Sequence, residues 1–217
     1  MTSSTFDRMT PEQRLTAVNV DLANNKTFAI MSGVACVGVN KFTDAIPTAG
    51  TDGRDVYWNQ DFVMSLTRKQ LRFVVLHESF HKALRHCSEY QEICKREPKA
   101  SNIAMDYVVN SFIEEADPQF TFVERTTKPA PLIHPKYFGW SFIQVLRDLL
   151  KNAKPIGGGG SGAEGDGDDK PKGKIFVDPD GNPIGAELDE HIMGKLGEAE
   201  LKEADRSEEH TSELQSH

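Results

Sequence analysis

The chain has 217 residues, a formal charge of −8, 38% hydrophobic residues and a mean hydropathy of −0.49. This balance argues against a general nucleic-acid binder, which needs a basic face, and against a membrane protein, since the longest apolar run (28–39) is broken by Ser32, Gly33 and Gly38. Residues 1–11 lack the basic start and apolar stretch of a signal peptide, and three cysteines without a CxxC (Cys36, Cys87, Cys94) suit a reducing, cytoplasmic setting with no disulfide frame.

The first predicted element is a helix in TPEQRLTAVNVDLANN. Thr10 caps it, Pro11 suits the first helical position, and Gln13 completes a capping box. Leu15, Val18 and Leu22 recur at helical spacing and predict one buried face. FAIMSGVACVGVNKF reads equally as a second helix or as a buried strand. In TAGTDGRDVYWNQDF the glycines Gly50 and Gly53 mark a turn, and Val56, Tyr57 and Trp58 predict a short strand over 54–59. That strand is a candidate sheet edge on which an extended peptide could dock.

LTRKQLRFVVLHESFHKALRHC predicts the strongest helix. Thr67 with Gln70 forms a second capping box, and no Gly or Pro interrupts the next twenty residues. ASNIAMDYVVNSFIEEA predicts another helix that stops before Pro118. Residues 119–137, with Pro129, Pro131 and Pro135, predict an ordered but irregular segment. GWSFIQVLRDLLKNA predicts an amphipathic helix with Phe142, Val145, Leu146 and Leu149 on its apolar face.

Composition then changes. The Gly/Asp-rich span 156–174 is expected to be a flexible linker, and its GGGGSG run lacks the Lys-Ser/Thr ending of a phosphate-binding loop. IFVDPDGNPI predicts a small hairpin around Asp180-Gly181, and residues 188–204 have helical character. Residues 206–217 resemble one translated frame of a sequencing-library adapter. Setting them aside removes one Arg and three Glu, moving the formal charge from −8 to −6, and implies a natural chain cut short after Asp205. The expected organisation is a domain over 1–155, the linker 156–174, the start of a C-terminal region over 175–205, and the adapter-like 206–217.

The chemistry lies in His77-Glu78-x-x-His81, an HExxH motif. Residues four apart on an α-helix lie about 40° apart around the axis. Both imidazoles can therefore reach one zinc ion while Glu78, one step round, faces a water beside it. Phe73, Val74, Phe80 and Leu84 share the histidines' face, so the pair points toward the core. The bland alternative is two packed core histidines with Glu78 in solvent.

A third ligand has two candidates. His86 lies five residues past His81, about 140° around an unbroken helix. With no helix break across 82–85, its charge is better suited to the helix C-terminus. Asp106 is the stronger candidate: Ile103, Val109 and Ile113 lie within about 60° of it, with Ala104, Ser111 and Glu115 opposite. An acidic group on an apolar face needs a partner. A zinc ion is one, with Asn110 orienting the carboxylate; a buried Arg85 is the alternative. Tyr107 is a candidate oxyanion donor or a core aromatic, and His134 and Tyr137 could approach from the proline-rich segment.

TDGRDVYWNQDFV, HESFHKALRHC and NIAMDYVVN together resemble the metallopeptidase domain that precedes a von Willebrand factor A-like domain in bacterial and phage proteins. The resemblance covers about residues 10–150, and LDEH at 188–191 resembles the family's continuation. His77, Glu78, His81, His86, Asp106 and Asn110 fall on its recurrent positions. It implies an α+β, mainly helical, zincin-like domain with a small β-sheet and an HExxH active-site helix. The implied function is zinc-dependent hydrolysis of a peptide or protein, with His77, His81 and Asp106 as ligands and Glu78 as general base. His86, Asn110 and Tyr107 are secondary candidates. The von Willebrand factor A-like domain in cis and an ATPase are implied partners. Two other classes remain open: a non-catalytic, metal-stabilised scaffold presenting a downstream binding domain, and a metal-dependent hydrolase of non-peptide substrates. Glu78 favours an enzyme, because a structural metal site has no use for a base.

Overall fold

Helix α1 (Pro11–Asn24) starts at Thr10, whose side chain accepts from the Gln13 amide while Gln13 closes the capping box, and it buries Leu15, Val18 and Leu22. The computed structural model describes residues 5–155 and 174–184. The expected linker interior, the helical stretch 188–204 and the adapter-like 206–217 lie outside the described residues. The fold is α+β and mainly helical, and no helix among the described residues is long and apolar enough to cross a membrane.

The ambiguous segment 28–42 contains both alternatives: α2 (Ala29–Ala35) and then strand β1 (Asn40–Phe42). Each piece is too short to establish its own period. Gly38 joins them at φ +76°, and a Cβ there would stand 2.2 Å from the Arg54 carbonyl oxygen. Gly38→Ala is therefore expected to destabilise the fold by at least about 2 kcal/mol, which urea unfolding would measure; a change within about 0.5 kcal/mol, the ordinary surface range, would contradict it.

Strands β2 (Ala49–Thr51) and β3 (Val56–Trp58) complete a three-stranded sheet of order β1-β3-β2. β3 pairs parallel with β1 and antiparallel with β2. The expectation that 56–58 forms a sheet edge is thus corrected. All three β3 residues are buried in the central strand, as suits an aromatic and β-branched run; β1 and β2 are the edges.

After α3 (Gln60–Ser65), capped by Asn59, helix α4 (Arg68–Ala83) begins with the Thr67–Gln70 capping box. It is shorter than expected. Leu84 caps it and Arg85 adopts a left-handed conformation (φ 55°, ψ 33°), so His86 opens a separate short helix, α5 (His86–Glu89). α6 (Gln91–Arg96) leads into α7 (Pro98–Ala116), and an irregular segment then runs to a 3-10 turn at Pro135–Tyr137 before α8 (Phe142–Asn152).

Two apolar clusters share α7. Val109 and Ile113 join Phe73, Leu76, Val18 and Trp58 in the first. Ile103, Tyr107 and Val108 join Val145, Leu146 and Leu149 of α8 in the second. Each such buried aliphatic contributes about 1.5–3 kcal/mol relative to exposure. Because α7 packs on both sides, Ala104 and Ser111, expected on its open face, are buried too. The predicted hairpin around Asp180-Gly181 is present as a turn closed by an isolated antiparallel bridge between Val177 and Pro183, with the Gly181 N–H donating to the Asp178 carbonyl. Strand β4 (Lys154–Pro155) pairs antiparallel with β5 (Lys174–Ile175). Ile184 donates to the Phe176 carbonyl, and both side chains enter the second cluster.

Candidate metal centre

His77, Glu78 and His81 lie in the last two turns of α4, and Asp106 faces them from the middle of α7. His77 Nε2 is 3.1 Å from His81 Nε2 and 3.7 Å from Asp106 Oδ1; His81 Nε2 is 3.3 Å from the same oxygen. Their side chains retain 11%, 3% and 9% exposure. Glu78, expected in solvent under the bland alternative, is only 2% exposed.

The second nitrogen of His77 has a defined partner. Nδ1 lies 2.8 Å from Asn110 Oδ1, while Asn110 Nδ2 donates to the Leu132 carbonyl at 3.1 Å. A carbonyl only accepts, so the amide nitrogen must face Leu132 and the oxygen must face His77. His77 Nδ1 is then the donor of that bond, and the Nε2 edge of the ring faces His81 and Asp106. Asn110 was expected to orient the Asp106 carboxylate; instead it orients His77, because it sits one turn along α7 where the α4 ring reaches it.

His86, about 140° from His81 on an unbroken helix, is brought inward by the Arg85 turn. It is 2% exposed, and its Nδ1 lies 3.0 Å from His81 Nδ1. The expectation that His86 ends the α4 helix is corrected: α4 stops at Ala83 and His86 opens α5. Arg85, the alternative partner for Asp106, pairs with Glu89 at 2.9 Å.

A cavity of about 70 Å³ opens beside His77, Glu78, Asp106 and Asn110. Its apolar wall comes from Ala49 of β2, Phe62 of α3, Phe73 and Val74 of α4, and the run Pro129–Ala130–Pro131. Those wall residues escaped the sequence reading, since no period or motif ties a proline-rich loop or a three-residue strand to a distant helix.

The remaining candidates lie elsewhere. Tyr107 packs edge-on against Tyr137 at 4.7 Å in the second cluster, and burial pushes its hydroxyl pKa up. Tyr137 donates to Asp148 at 2.9 Å, and His134 faces Asp180 at 3.4 Å. None of the three lines the cavity. No disulfide joins the cysteines, and burial pushes the Cys87 thiol up to about 12, which keeps it protonated at neutral pH.

Across residues 11–216 the sequence matches the family described as "Putative metallopeptidase domain". The chain belongs to this family. No curated protein and no solved structure matches it. A metallopeptidase domain implies a metal, and the donor set fits one. His77, His81 and Asp106 offer one ligand atom each, all within 4.8 Å of one another. Four-coordinate zinc with ligand bonds of about 2.0–2.1 Å holds neighbouring ligand atoms roughly 3.3–3.4 Å apart, close to the three observed separations. A buried carboxylate converging on imidazole lone pairs is costly without a cation between them, which is the environment a metallopeptidase domain requires.

Proposed function

We propose that the chain is a zinc-dependent peptidase of zincin-like architecture, in which His77 Nε2, His81 Nε2 and Asp106 Oδ1 hold the metal and Glu78 is the general base. The observation that carries the reading is the near-tetrahedral spacing of three buried donors beside a cavity that Glu78 also lines. A bound zinc ion would supply Lewis acidity, acidifying a water and polarising the scissile carbonyl. Glu78 accepts a proton at its carboxylate from the attacking water and returns it to the leaving amine nitrogen. Asn110 holds the His77 ring, and the apolar wall excludes bulk water from Glu78, which strengthens its interactions at that point.

The substrate reaches Glu78 through the cavity, past the Thr48–Ala49 end of β2 that lines it. The cavity is about half the size of the roughly 150 Å³ apolar cavities that take up benzene. It therefore suits a small aliphatic side chain next to the scissile bond. Cleavage-site profiling of a mixed peptide library with the zinc-loaded protein is expected to enrich Ala and Val at one position beside the cut. Enrichment of charged residues there would contradict the docking, and hydrolysis of small esters or amides without any peptide cleavage would favour a non-peptide hydrolase.

A further inference from the structure

We propose that His86 is a positioning residue for the metal ligand His81, and that the left-handed turn at Arg85 exists to deliver it. The inference rests on the metal-centre reading above. The imidazole of His81 has two edges. Nε2 faces His77 and Asp106, and Nδ1 lies 3.0 Å from His86 Nδ1. If Nε2 gives its lone pair to a metal, neutral His81 must carry its proton on Nδ1. His86 Nδ1 then accepts that proton's hydrogen bond, and its own ring proton resides on Nε2. Metal-binding histidines generally need such an outer partner to fix ring orientation and tautomer.

The placement of His86 follows from several independent features. Its ring meets His81 edge-on, with centroids 5.0 Å apart, and packs against Tyr90 at 6.3 Å and Phe142 at 6.1 Å. Tyr90 and Phe142 in turn contact one another at 4.4 Å. The aromatic wall restricts the ring to an orientation that directs Nδ1 at His81. A left-handed arginine is strained relative to the helical conformation, and α4 ends there without a glycine. Continuing the helix would carry residue 86 away from His81.

His86 is not itself a third or fourth ligand to the same ion. It approaches the Nδ1 edge of His81, opposite the edge where His77 and Asp106 converge. The choice of histidine has a chemical consequence. A carboxylate in this place would add negative charge to a centre that already holds Asp106 and Glu78, whereas a neutral imidazole accepts the hydrogen bond without doing so.

The test is zinc affinity of the full chain, measured with zinc alone by competition against a chromophoric chelator. His86→Phe keeps a ring in the aromatic pocket but removes the acceptor. His86→Asn places an amide oxygen close to the former Nδ1. His86→Phe is expected to weaken zinc binding by about 10–100-fold, with His86→Asn recovering most of the loss and both zinc-free proteins keeping wild-type circular dichroism. Wild-type affinity in His86→Phe, or equal loss in both variants, would overturn the proposal. Should His86→Phe fail to fold, the long-range proton–nitrogen spectrum of the zinc-loaded wild-type chain decides. Protons on His81 Nδ1 and His86 Nε2 support the assignment, and a proton on His86 Nδ1 overturns it. A wild-type chain that binds no zinc overturns the metal-centre reading itself, and this inference with it; zinc bound equally by wild type and His86→Phe overturns this inference alone.

Discussion

Glu78→Gln is expected to keep its zinc while cleaving peptides about 10²–10⁴-fold more slowly, the range general acid–base catalysis supplies. Glutamine matches glutamate in shape, so the packing around a residue 2% exposed is retained. The variant loses the capacity to accept a proton beside His77 and Asp106. Zinc content by elemental analysis and kcat should be measured on the same preparation. Full kcat with full zinc would remove Glu78 from the mechanism. Loss of zinc in step with activity would instead give the carboxylate a role in holding the metal.

The second large effect is expected at Asp106. Asp106→Ala removes the only donor that α7 brings to the centre among the described residues, leaving two imidazoles on α4. Zinc affinity should fall by more than the roughly 10–100-fold typical of a change in an outer partner. Because a ligand that binds only the folded state stabilises it by about 2.7 kcal/mol at one hundred times its dissociation constant, zinc should raise the wild-type Tm. The same zinc concentration should leave the Asp106→Ala Tm unchanged. A wild-type-like rise in the variant would show that the ion binds elsewhere.

Much of this centre is legible in the sequence because the relevant rules are local. Capping boxes at Thr10 and Thr67 set two helix starts. The i, i+4 spacing of His77 and His81 places them on one face, and an acidic residue among Ile103, Val109 and Ile113 marks Asp106. The features that the sequence conceals depend on tertiary packing. No residue type announces the turn at Arg85, since arginine has no preference for the left-handed region; the end of α4 follows from the burial of His86 against Tyr90 and Phe142. The central position of β3 is equally hidden, because three residues of strand carry no information about the number of neighbours. The partner of Asn110 depends on Leu132, in a segment whose path no periodicity specifies.

The pairing of β4 with β5 ties together two stretches that flank the second core, Ala153 before β4 and Phe176 after β5. Lys154 lies opposite Ile175 and Pro155 opposite Lys174, so residues 155 and 174 are held side by side. The closure entropy for joining two points of a chain grows by only about 0.6 kcal/mol per doubling of the residues between them, so this staple is nearly insensitive to how far apart its strands lie in sequence. It extends the second core beyond α8 to Ile184, whose hydrogen bond to Phe176 is the last tie to that core among the described residues.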